Sequence, residues 1–203
     1  FILALSMRKK DSTGGREYGM FEWTEESVDN PEKTDRLIRA LSITRWYQEI
    51  PEELDRDKTV SFMEYMNRRK VKVYALTGSV EWGFEEDGAS LSRQIQKVAD
   101  YNDSVDEAYR FRGIMTDIEP YVSSRFREDP VYYMDLYVKG MRAAYEYAVS
   151  RNIRVIQCIP RHYDEQGLTA YLEQLIAYAC DEVAVMNYGL SNEVEMIETE
   201  AGL

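Results

Sequence analysis

The chain has 203 residues, 44% of them hydrophobic, enough to bury a core in one domain. Its 37 acidic and 25 basic side chains leave a formal charge of −12, which argues against nucleic acid and anionic membrane surfaces, since both are held by basic patches. No stretch approaches the roughly 18 apolar residues of a membrane-spanning helix.

The first five residues, Phe1-Ile2-Leu3-Ala4-Leu5, are apolar and begin without Met. They fit the tail of a clipped export signal or an anchor, and equally a short buried strand. Residues 1–17 are therefore read as an N-terminal segment and 18–203 as the folded domain. A polar, Gly-containing loop leads into a first strand over 18–23. Asp29-Asn30-Pro31 looks like a helix start, with proline near the first helical position, and the helix runs to about 41. A strand over 43–50 is ended by Pro51. Val60, Phe62, Met63 and Met66 give helical periodicity over 57–69, and a strand over 71–77 is stopped by Gly78. A loop carrying Trp82 and Phe84 precedes a helix over 89–101.

The next stretch, Phe111-Arg112-Gly113-Ile114-Met115-Thr116-Asp117-Ile118-Glu119-Pro120-Tyr121, reads as a mostly apolar strand ending in two carboxylates. Side chains alternate along a strand, so Asp117 and Glu119 should share a face, with Cα atoms about 6.6 Å apart. Pro120 has no N–H for a ladder and should close the strand. Two neighbouring acids repel, which raises the pKa of one, and an acid kept protonated near neutral pH is what glycoside cleavage needs.

A long helix over 130–151 places Tyr133, Leu136, Tyr137, Met141, Ala144 and Ala148 on one face. Then come a strand over 153–159 closed by Pro160, a helix over 167–179, and a strand over 182–188 closed by Gly189. Residues 193–203 look like the opening of another helix. Cys158 and Cys180 fall at opposite ends of neighbouring strands, so free buried thiols are expected.

Alternating apolar strands and helices mean an α/β fold. No G-x-G-x-x-G or phosphate loop follows a strand, so a nucleotide-binding sheet loses its main support. The strand ends carry Glu49, Thr77, Asp117, Glu119, Gln157 and Tyr188, a polar ring where a (β/α)8 TIM-type barrel keeps its chemistry. About six βα units can be counted, seven strands with the apolar start, so the barrel is expected to be incomplete in this chain, through truncation at its C-terminal side.

Arg112 to Glu119 resembles the strand motif D-G-x-D-x-D-x-E of the chitinase-like glycoside hydrolases. It keeps the Gly, the last Asp and the Glu, while Arg112 and Met115 stand where two earlier acids would be. Met186-Asn187-Tyr188 resembles that superfamily's M-x-Y on a later strand. Tyr47-Gln48-Glu49-Ile50-Pro51, the run from Lys72 to Gly78 and the run from Gly113 to Tyr121 are similar to a poorly characterised bacterial group related to those enzymes. The resemblance implies that Glu119 protonates the glycosidic oxygen, that Asp117 orients an N-acetyl group or stabilises developing positive charge, and that Tyr188 hydrogen-bonds the same group. It also goes with an extracellular or cell-envelope location, no cofactor, and a carbohydrate as the partner; oligomeric state stays unassigned.

Around that catalytic set, Glu49, Tyr47, Trp82, Gln157, Asn187 and His162 are expected to contact the ligand. Glu49 is the candidate for a second catalytic carboxylate, and Trp82 with Phe84 for a sugar-stacking platform. Three alternatives accompany this reading. The pair could be structural, salt-bridged to Arg125, Arg127 or Arg161. The barrel could bind sugar without cleaving it. Or Glu49, Asp117, Glu119 and His162, the sole histidine, could hold a metal in a barrel isomerase or lyase. A Ser-His relay has no G-x-S-x-G elbow to support it.

Overall fold

In the computed structural model the described residues are 2–5, 17–160, 162–163 and 167–186. Seven strands form one sheet in the order of the sequence: β1 (Ile2–Leu5), β2 (Tyr18–Glu22), β3 (Ile43–Glu49), β4 (Lys72–Thr77), β5 (Ile114–Thr116), β6 (Val155–Pro160) and β7 (Glu182–Met186). Strands β2 to β7 are parallel neighbours and make a half-barrel of the (β/α) type. Strand β1 runs antiparallel on β2, with Ile2 opposite Phe21. The apolar start thus pairs as an edge strand.

Helices cover the outer face: α1 (Glu26–Asp29), α2 (Asp35–Ala40), α3 (Arg56–Arg68), α4 (Ala89–Asp103), α5 (Ser124–Glu128), α6 (Pro130–Ser150) and α7 (Thr169–Tyr178). The first predicted helix is a 3-10 turn at Pro31–Thr34 followed by α2, and the short α1 lies ahead of it, where no helix was expected. Pro31 opens the 3-10 turn, where its missing N–H has no partner to lose. Asp55 caps α3 by accepting from the backbone N–H groups of Asp57 and Lys58, which fixes the helix start one residue ahead of the predicted one.

Strand alternation divides the core in two. Trp46, Val73, Ala75, Ile114 and Val155 face outward and join Phe62, Ile95, Val98, Tyr137 and Met141 of the helices. Phe21, Tyr47, Tyr74, Leu76, Met115, Ile156, Cys158 and Ala184 face inward and fill the barrel. Deleting the side chain of a fully buried residue such as Ile95 or Ile114 typically costs 2–5 kcal/mol. Both cysteines are free and buried, as the sequence indicates.

The lower, N-terminal end of the barrel is closed by charge. Arg45, on the inward face of β3 and 1% exposed, bonds to Glu182 of β7 and to Glu17, and lies over the Tyr74 ring. Arg154 bonds to the other oxygen of Glu182 at 2.8 Å and Lys72 to Glu17 at 3.1 Å. Buried charges persist only when paired in this way.

Candidate active site at the end of the fifth strand

Strand β5 is shorter than the sequence suggests. It ends at Thr116, so Asp117 and Glu119 lie just beyond it. The ladder does reach one residue further, since the Asp117 N–H donates to the Thr77 carbonyl at 2.8 Å. Ile118 then turns outward, 2% exposed in the helix-side core. A 3-10 turn at Pro120–Val122 follows, closed by the Val122 N–H to the Glu119 carbonyl at 3.2 Å.

Two glycines let this backbone come close to its neighbour. A Cβ at Gly78 would lie 2.0 Å from the Asp117 carbonyl oxygen, and one at Gly83 would lie 2.7 Å from the Pro120 ring. The loop after β4 therefore packs directly on the segment that carries the two acids.

From the outer side a hydrogen-bond chain holds the same segment. Thr116 Oγ1 donates to Gln157 Oε1 at 2.6 Å, Gln157 Nε2 donates to the Tyr137 hydroxyl at 2.7 Å, and that hydroxyl donates to the Ile118 carbonyl at 3.1 Å. The chain is buried, so each bond matters more than it would in water. It ends on the peptide between the two carboxylates.

Asp117 and Glu119 are half-buried and make no ion pair among the described residues. Burial first, and then the charge of Glu119, push the Asp117 carboxyl from 3.8 up to about 6, and a contact with the Cys158 thiol only partly offsets this. Its Oδ1 is buried without a hydrogen-bond partner among the described residues. Beneath it, Cys158 Sγ lies 3.3 Å from Met115 Sδ, so sulfur fills the place where the resembling motif has an acid. Burial holds the Cys158 thiol well above its ordinary range.

Glu119 accepts a short hydrogen bond from the Tyr121 hydroxyl. The Tyr121 ring meets His162 edge-on at 4.8 Å and Tyr163 at 5.8 Å. Tyr163 is 1% exposed, and its hydroxyl has no partner among the described residues. Burial, then the Glu119 charge, drive the Tyr163 phenol far above its usual value.

Several expected ligand contacts are corrected. Tyr47 is wholly buried inside the barrel, 4.9 Å from the Phe21 ring and 5.5 Å from Tyr74, and has no surface to offer. Gln157 faces the helical layer and supports the site from behind. Trp82 packs half-buried on the helix-side core, and Phe84 packs edge-on against Tyr133 at 5.3 Å, with Arg125 stacked over it, so the two do not form a platform inside the mouth. Glu49 is raised by its own burial and by Glu25 and Glu22, an acidic group at the ends of β2 and β3; the charge acting on Asp117 is that of Glu119.

The salt-bridge alternative also falls for the arginines that are described. Arg125 lies over Phe84 and Tyr133, and Arg127 donates to the Val122 carbonyl. Among the described residues no three metal-binding side chains gather, so Glu49, Asp117, Glu119 and His162 do not make a ligand set. His162 does come to the site, as an aromatic neighbour of Tyr121. Arg161, Asn187 and Tyr188 lie outside the described residues. Tyr121, Tyr137 and Cys158 are contributors the sequence reading missed. Tyr121 alone left a signal, its place two residues beyond Glu119 across a proline.

No protein-family model matches the chain, and no curated protein matches it either. Its fold is similar to that of D-psicose 3-epimerase from Clostridium cellulolyticum H10, solved with D-tagatose, at 11% identity and a TM-score of 0.54, over 83% of this chain and 62% of that one. It is equally similar to the C-terminal domain of a candidate chitinase from Desulfitobacterium hafniense DCB-2, at 14% identity and a TM-score of 0.54, over 91% of this chain and 61% of that domain. The chain spans about three fifths of the length of these structures, and the likeness is one of barrel fold.

Proposed function

We propose that this chain is a carbohydrate-active barrel in which Glu119 is the general acid and Asp117 its partner. The observation that carries the reading is the pair itself. Two carboxylates sit at the C-terminal end of a parallel strand, without a cation among the described residues, and one is driven up to about 6. Asp117 keeps its proton up to about pH 6 beside Glu119, and a held proton is what protonation of a glycosidic oxygen requires; its delivery by Glu119 is assigned on the sequence resemblance. Tyr188 is assigned to hydrogen-bonding the ligand on the sequence resemblance alone. The barrel likeness to a sugar epimerase bound to D-tagatose and to a candidate chitinase domain is compatible with a sugar ligand.

The test is hydrolysis of a panel of glycans and 4-methylumbelliferyl glycosides by the wild type, followed by Glu119→Gln. Loss of turnover by about 100-fold or more, with binding retained, supports the assignment. Full activity in that variant removes Glu119 from the role. A non-catalytic sugar-binding barrel is the second reading. It is favoured by the Met115–Cys158 sulfur contact beneath Asp117, which takes the place of an acid. Glycan binding by calorimetry without turnover in the wild type selects it.

A further inference from the structure

Resting on the reading of Glu119 as the acid, we infer that Tyr121 is the residue that positions it, its phenol hydroxyl occupying one carboxylate oxygen so that the other is left for proton exchange. The Tyr121 hydroxyl donates to Glu119 Oε1. Among the described residues it is that carboxylate's hydrogen-bond partner.

The donor is itself immobilised from three sides. The ring belongs to the 3-10 turn Pro120–Val122, whose carbonyl and N–H groups are tied at 3.2 and 3.1 Å by Val122 to Glu119 and by Ser123 to Pro120. Pro120 is wedged against Gly83, where there is no room for a Cβ. His162 and Tyr163 meet the ring edge-on at 4.8 and 5.8 Å, and are themselves 5.7 Å apart. Edge-to-face contacts of this kind fix ring orientation as well as burying area. A phenol that cannot swing holds its acceptor in one rotamer.

The chemical consequence is a division of labour between the two carboxyl oxygens. Oε1 is filled by the phenol donor, so a proton that leaves or returns does so at Oε2. A carboxylate without this bond would rotate about its terminal torsion, which has only broad, shallow preferences. Tyr121 does not have to touch the sugar, and its hydroxyl proton stays on the phenol throughout: burial, then Glu119, hold that proton on firmly.

The experiment places 3-fluorotyrosine at position 121, giving one 19F resonance to read. Glu119→Gln should move that resonance, while Glu49→Gln, at the separate acidic group, should leave it in place. A resonance unmoved by Glu119→Gln overturns the inference. In parallel, Tyr121→Phe keeps the ring and removes the hydroxyl. On the best-cleaved 4-methylumbelliferyl glycoside, kcat should fall about 10- to 100-fold with KM within about twofold. Unchanged kcat, or kcat and KM altered together with loss of the native circular dichroism, counts against positioning. The fluorine arm does not require the Phe variant to fold. If no glycoside is cleaved while the 19F signal still answers to Glu119→Gln, the hydrolase reading fails and the clamp stands.

Discussion

Replacing Asp117 by Asn should make the protein more stable at neutral pH, and the amount can be worked from the site. The carboxyl is moved from 3.8 to about 6 by burial and by Glu119. Below about pH 4 both folded and unfolded chains carry the proton, and the group costs nothing. As pH rises from about 4 to about 6 the unfolded chain releases its proton first, so folding loses free energy through that window. Above it the loss is complete, at most about 3 kcal/mol for this shift. Asn cannot ionise, so it removes that pH dependence. Urea denaturation of both proteins at pH 4, 5, 6 and 7 is the assay, and the difference between them as a function of pH is the quantity read. That difference cancels any fixed cost of the amide. It should grow by about 2–3 kcal/mol from pH 4 to 7 in favour of the variant. Parallel curves across the range would refute the reasoning, because Asp117 would then titrate alike folded and unfolded. The trade is familiar from functional sites, where a group is kept in an uncomfortable setting for its chemistry.

Other consequences follow from the packing. Gly78→Ala puts a Cβ 2.0 Å from the Asp117 carbonyl, so the ends of β4 and β5 must part; a loss of about 2 kcal/mol or more is expected in denaturant titration. Arg45→Met takes from Glu182 one of its charged partners in a buried place and should cost about 3 kcal/mol, with Arg45→Met/Glu182→Leu recovering part of it. Cys158 and Cys180 should both resist Ellman's reagent in the native protein and react together once it is unfolded, since each is buried with its thiol raised.

Several strands were readable because they are apolar runs closed by Pro or Gly, as at Pro51, Gly78 and Pro160, and the helices because caps such as Asp55 lie where the periodicity begins. The common face of Asp117 and Glu119 was readable from alternation alone, even though the strand stops short of them, since Ile118 between them is buried on the opposite, helical side. What alternation could not supply was which face is which on strands covered on both sides. Ile156-Gln157-Cys158 is buried throughout, so nothing in it shows that Gln157 points away from the mouth. Tyr47 misled for the same reason, being flanked by Trp46 and Gln48, which are buried as deeply on the other face. The Tyr121 bond depends on how a 3-10 turn folds back, and the Arg45–Glu182 bond joins residues 137 apart in the chain. The second contact is too distant along the chain to leave a pattern, and the first left only the place of Tyr121 two residues beyond Glu119.

That last bond has a mechanical meaning. Strands β3 and β7 are separated by three others along the sheet, yet Arg45 spans the hollow between them directly. Ladder hydrogen bonds set the spacing of neighbours and leave the curvature of an arc free, whereas a chord fixes its radius. The charged strut on the floor therefore gauges how far apart the strand tips stand at the opposite rim, and a change there should be felt in the spacing of the strand ends around residues 117 and 119.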